Sequence, residues 1–126
     1  MTENKIEQYV DLFQKKSFGN LATIMPDGSP QVTPVWVDFR EGQLWINSTE
    51  GRQKDRNMER DPRVAVSIQD PEDPYRYLQI RGRVVEITRE GADEHIDQLA
   101  SHYLGREEYP HRSPGEIRKI FKIQPE

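Results

Sequence analysis

Residues 47–63, Asn-Ser-Thr-Glu-Gly-Arg-Gln-Lys-Asp-Arg-Asn-Met-Glu-Arg-Asp-Pro-Arg, hold the densest cationic stretch of the chain. A strand-like run ends in the hydroxyls of Ser48 and Thr49, passes Gly51, and enters a helical pattern with Arg52 and Lys54 in its first turn. A helix start carries partial positive charge, and a cation placed there costs about 0.3–1 kcal/mol. Free backbone N–H groups, hydroxyls and cations converging on one spot suit an anion, a phosphate above all. A competing reading is a solvated charged helix in which Glu50, Asp55, Glu59 and Asp61 neutralise those cations. The two readings differ in where the acids point.

A second feature lies upstream, at Val32-Thr33-Pro34-Val35-Trp36. Pro34 has no N–H to donate, so inside a strand it belongs at an edge, at a bulge, or where a ligand replaces the neighbouring strand. If this strand abuts the one leading to the hydroxyl turn, a planar ligand could lie along its backbone with its phosphate at Arg52 and Lys54.

Other chemistries find little support. The chain has no cysteine, which removes disulfides, thiolate catalysis and cysteine-based metal sites. His95, His102 and His111 lack zinc-ligand spacing; His95 and His102 are two helical turns apart, and satisfied or surface roles are expected for all three. No Gly-x-Ser-x-Gly turn, phosphate loop or dinucleotide fingerprint occurs. The net charge of −4 argues against nucleic-acid binding. The polar N-terminus and the lack of long apolar runs lead us to expect a cytoplasmic protein without a membrane partner.

The elements that must position these residues follow from hydrophobic period. Residues 3–16 read as an amphipathic helix through Ile6, Tyr9, Val10 and Phe13, with Thr2 as its cap. Asn20–Met25 is a strand, Asp27-Gly28 a hairpin turn, Gln31–Phe39 the return strand and Gln43–Ser48 a third, together a meander. A short helix spans Gly51–Arg60 and stops at Asp61-Pro62. Arg63–Gln69 and Tyr75–Thr88 follow as strands, the latter with Gly82 marking a bulge or a close backbone approach. Glu90–Leu104 is a helix through Ala92, Ile96, Leu99 and Tyr103, and Ile117–Ile123 the last strand. The expectation is one domain over residues 1–126, a six-stranded antiparallel barrel, with a mixed α+β sheet as the alternative. The loop from Gly105 to Pro114, with Tyr109 and His111, reads as a surface excursion or as a flap over a ligand. Trp36, Trp45, Tyr75 and Tyr77 fit core or interface roles better than ring stacking.

The runs from Asn20 to Trp36 and from Gly51 to Val64 together resemble the pyridoxamine-phosphate-oxidase-like split-barrel superfamily, and most closely its flavin/deazaflavin oxidoreductase branch. The resemblance covers residues 6–123 and implies a split β-barrel with an N-terminal helix, a short helix after the third strand and a helix before the last. It implies a homodimer with cofactor sites at the interface. The cofactor would be coenzyme F-420, a deazaflavin, with FMN the alternative. By that resemblance Val32, Thr33, Pro34, Val35 and Trp36 lie against the ring, while Ser48, Thr49, Arg52 and Lys54 meet the phosphate and tail, with Asn57 in support. Arg76, Tyr77 and Leu78 would come from the partner subunit; the proton donor for a reduced substrate would be solvent or Tyr77. The implied reaction is hydride transfer to an electron-poor conjugated small molecule such as a quinone, enone or tetrapyrrole, with no obligatory catalytic side chain. The rival is a split barrel that only binds a cofactor or haem.

Overall fold

The computed structural model describes residues 6–126; Thr2, the expected helix cap, lies outside them. Strands β1 (Gly19–Ile24) and β2 (Pro30–Val35) form the expected hairpin. Its turn is built as its residues require: Gly28 takes φ 87°, and the Asp27 carboxylate accepts the Ser29 N–H at 2.9 Å.

The return strand does not continue to Phe39. It ends at Val35, and after two residues β3 (Asp38–Arg40) pairs with β4 (Gln43–Thr49) at the far end of the sheet. The sequence shows three apolar residues running, Val35, Trp36 and Val37, where alternation should hold. At this crossing the Val37 N–H donates to the Tyr103 hydroxyl at 3.1 Å instead of to a strand, and that hydroxyl donates to the Ser17 carbonyl at 2.6 Å. Burial pushes the Tyr103 phenol up to about 12, so it stays a neutral donor.

Strands β5 (Arg63–Gln69), β6 (Tyr77–Thr88) and β7 (Arg118–Pro125) complete a curled, antiparallel, seven-stranded half-barrel ordered β2-β1-β5-β6-β7-β4-β3. It has one strand more than expected because the single return strand is two. Alternate residues such as Leu21, Ile46, Val66, Ile80 and Phe121 fill its inside. Gly82 marks a close approach: a Cβ there would sit 2.5 Å from the Gln124 carbonyl oxygen. The bulge itself falls between Val84 and Glu86.

Helix α1 (Gln53–Arg60) follows β4, and α2 (Ala92–Leu104) lies before β7, close to expectation. Of the expected N-terminal helix, residues 3–5 lie outside the described residues; Ile6 and Glu7 are helical, and the segment then tightens into a 3-10 turn at Val10–Phe13. Leu12 is buried and Val10 exposed, because Tyr9 and Asp11 are engaged by Arg76 of the body. No described helix is long and apolar enough to cross a membrane.

Candidate cofactor site

Where the chain leaves β2 for β3, the sheet opens, and a cleft of ≈ 190 Å³ lies between the end of β2 and the end of β4. Pro34, Val35 and Trp36 form one wall. Asn47 and Ser48 of β4, Arg52 and Lys54 at the start of α1, and Arg118 of β7 form the polar wall. Ile96 and Leu99 of α2, with Phe18 and Tyr109, close the apolar end. Trp36 stacks on Tyr103 with centroids 5.1 Å apart, and Tyr109 meets Trp36 edge-on, which fixes the indole. The strand holding Pro34 is the sheet edge, so the proline forfeits no ladder bond, and it borders the cleft as well.

The acids decide between the two readings of the cationic stretch. Asp55 accepts the Gly51 N–H at 2.8 Å and the Lys119 ammonium at 2.9 Å. Glu59 lies 3.0 Å from the same ammonium, Glu50 pairs with Arg89 at 2.7 Å, and Asp61 pairs with Arg63 at 2.7 Å. All four are taken by other cations, and no carboxylate among the described residues lies within 4.0 Å of Arg52 or Lys54. Burial lowers the Lys54 ammonium, and the positive charges of Arg52 and Arg118 lower it further. Beside them the Ser48 hydroxyl is buried with no hydrogen-bond partner. Two cations without a carboxylate partner beside a buried donor without an acceptor are an arrangement that an anion would complete.

A model of the family described as pyridoxamine 5'-phosphate oxidase matches residues 6–126. The chain belongs to this family. Its fold binds flavin-type cofactors, and the cleft's donors fit the phosphate of such a group. A solved structure named F-420 reductase is 34% identical, covering 92% of this chain and 91% of its own, with a TM-score of 0.80. A conserved hypothetical protein from Mycobacterium tuberculosis is 26% identical over 99% of this chain and 81% of its own, with a TM-score of 0.69. A protein from Listeria innocua described as a pyridoxamine 5'-phosphate oxidase shares the fold at 22% identity, covering 98% of this chain and 93% of its own, with a TM-score of 0.68.

Of the family residues expected from sequence, Pro34, Val35, Trp36, Ser48, Arg52 and Lys54 converge on the cleft. Thr33 sits beside it with a buried, unpartnered hydroxyl, whereas Val32 faces outward at 61% exposure. Thr49 borders a neighbouring groove with Arg52. Asn57 is fully buried away from the cleft, where its amide donates to Thr23 Oγ1 at 3.0 Å and accepts from Gln53 at 2.8 Å, tying α1 to β1. Arg76 pairs with Asp11 and Asp70 at 2.8 and 3.0 Å under the Tyr9 ring, and Leu78 is a core residue, so within this chain neither reaches the cleft. Tyr77 is exposed on β6. Sequence reasoning does not assign Phe18, Asn47, Ile96, Leu99 or Arg118, which reach the cleft through pairings between distant segments. Tyr109 was legible only as part of a flap.

His95 shows why the histidines stay outside. It is 2% exposed, with Nε2 3.0 Å from Asp38 and Nδ1 3.1 Å from the Asn47 amide. The His102 Nε2 donates to the Lys15 carbonyl at 2.7 Å.

Proposed function

We propose that this protein is an oxidoreductase that uses coenzyme F-420, with FMN as the alternative cofactor, and reduces or oxidises an electron-poor conjugated small molecule such as a quinone, enone or tetrapyrrole. The observation that carries the proposal is the pair of unpaired cations, Arg52 and Lys54, beside the orphan Ser48 hydroxyl in a cleft with an apolar end. The 34% identity to the F-420 reductase favours the deazaflavin over FMN.

When bound, the cofactor's ring supplies the hydride-carrying position, C5 of a deazaflavin or N5 of a flavin. The chain's part is binding and orientation. Ser48, Arg52 and Lys54 hold the phosphate, which fixes the depth of the tail. Pro34, Val35 and Trp36 offer the ring a backbone edge and a braced apolar surface. The proton that completes reduction of the acceptor would come from solvent or from Tyr77.

A homodimer with the cleft at the interface is part of the proposal. Exposed Val32, Tyr75 and Tyr77 are apolar surface that a second copy would cover, and Tyr77 is the residue it could bring. Haem as the occupant is disfavoured by His95, whose two ring nitrogens are both engaged.

The test is titration of the apo-protein with coenzyme F-420, FMN and haem, followed by fluorescence and absorbance. Saturable binding of F-420, or of FMN, is expected. A Soret-band complex with haem, and no response to either flavin-type ligand, would overturn the reading.

A further inference from the structure

Of the three cations on the cleft wall, Arg118 is the buried one, its side chain 5% exposed. One face and three of the N–H groups of its guanidinium are held. The Tyr109 ring covers a face at 4.7 Å. Glu116 accepts from Nε at 3.2 Å and from Nη2 at 3.0 Å, and the Asn47 carbonyl accepts from Nη1 at 3.1 Å. A guanidinium has five N–H donors. These three bonds leave two, one on each terminal nitrogen.

The Asn47 amide is itself fixed. Its Nδ2 donates to the Ala92 carbonyl at 2.9 Å, and its Oδ1 faces the cationic Arg118, so only one orientation satisfies both. In that orientation Nδ2 also donates to His95 Nδ1, and His95 must then donate from Nε2 to Asp38. A chain of Asp38, His95 and Asn47 thus runs from β3 through α2 to β4 and ends on the guanidinium in the cleft wall. Such an arrangement is more than a surface ion pair needs. A cation already desolvated and oriented loses little freedom when it takes up an anion.

The geometry points to Arg118 as a third ligand for the phosphate-bearing tail, giving its two remaining N–H groups to the anion, with Asn47 as its positioning residue and Glu116 as the resident counter-ion. This assignment rests on the reading that the cleft takes a phosphate-bearing cofactor. It gives Glu116 a definite role: the carboxylate orients Arg118 but also opposes the incoming negative charge.

The two acid–base partners therefore have opposite expected effects, which a merely structural salt bridge would not show. FMN and coenzyme F-420 are titrated by fluorescence against wild type, Arg118→Gln, Arg118→Lys and Glu116→Gln at one salt concentration, with thermal unfolding of each protein alongside. Arg118→Gln should weaken whichever ligand binds wild type by about tenfold or more, since it loses a charge-assisted pair of bonds. Arg118→Lys keeps the charge without the fork, covers the case in which the glutamine variant does not fold, and should weaken binding by about threefold or more. Glu116→Gln should tighten it by roughly twofold or more while lowering the unfolding temperature, because a repelling charge leaves. If the variants lose thermal stability while the dissociation constants stay at the wild-type value, the assignment is wrong. Lys54→Ala separates the two failures. Loss of affinity there without loss in the Arg118 variants refutes this inference alone, while no loss in any of them refutes the reading of the cleft.

Discussion

Two cationic regions of this molecule are opposite in structure. On one side, Lys15 and Arg76 converge on Asp70, with Asp11 completing the group: Lys15 Nζ lies 3.1 Å from Asp70, and Arg76 lies 3.0 Å from Asp70 and 2.8 Å from Asp11. Each charge there has a partner, and the group ties the N-terminal segment to the loop between β5 and β6. On the other side, Arg52 and Lys54 share the cleft with Arg118, and the acids next to them in sequence serve Lys119, Arg89 and Arg63. The contrast shows in the ionisation of the two sites. The Glu72 backbone N–H, with Lys15 and Arg76, holds the Asp70 carboxyl at about 2, whereas burial and like charges lower the Lys54 ammonium. A closed cluster holds a fold together, and an open one is what the proposed phosphate site needs.

The largest way to break this comparison is to remove the open cluster. Replacing both Arg52 and Lys54 by Ala should weaken coenzyme F-420 or FMN by about 100-fold or more, each charge-assisted contact being worth roughly 1.5–3 kcal/mol. Stability to urea should be unchanged or slightly higher, because two like charges are gone. A drop in stability would mean that these cations serve the fold.

Asp70→Asn should do the reverse, lowering stability at neutral pH and leaving ligand affinity alone. The sign follows from linkage. The folded carboxyl titrates at about 2, below its ordinary 3.8, so the stabilisation is complete above 3.8 and is lost as pH falls towards 2. Denaturation curves of wild type and variant should therefore converge as pH is lowered through that window. Parallel curves across it would place the effect elsewhere.

The open cluster should also show in alkaline titration. Lys54 loses its proton below the ordinary 10.5, and an anion binds the charged form, so affinity should begin to fall at a pH below 10.5. Lys54→Arg should move that onset upward, measured by ligand fluorescence against pH. Smallest is Ser48→Ala, which removes a buried hydroxyl without a partner: it should raise stability by about 1 kcal/mol and weaken the ligand several-fold. Lower stability would mean that the hydroxyl is satisfied in the free protein.

What was legible in sequence was local. The Asp27-Gly28 hairpin, the apolar face of α2 and the hydroxyl–glycine–cation run each lie within a single short segment of chain, where period and turn chemistry apply. The division of the return strand was not legible, because the group that satisfies the Val37 N–H is Tyr103, 66 residues away. The pairing of Arg76 within its own chain was not legible for the same reason, since its partner Asp11 is 65 residues distant. Arg118 was silent because its neighbour Glu116 reads as an ordinary ion pair, and Asn47, which orients it, lies 71 residues upstream. Of the cleft, sequence showed the half that lies along one segment and hid the half assembled by the sheet.

The central claim is that Lys54 is unpaired in the free protein because it holds the cofactor's phosphate. The most direct measurement compares the dissociation constants of coenzyme F-420 and FMN for wild type and Lys54→Ala at one fixed salt concentration. The account predicts a rise of about tenfold or more for the ligand that binds, with the unfolding midpoint unmoved. Equal dissociation constants for the two proteins would contradict it.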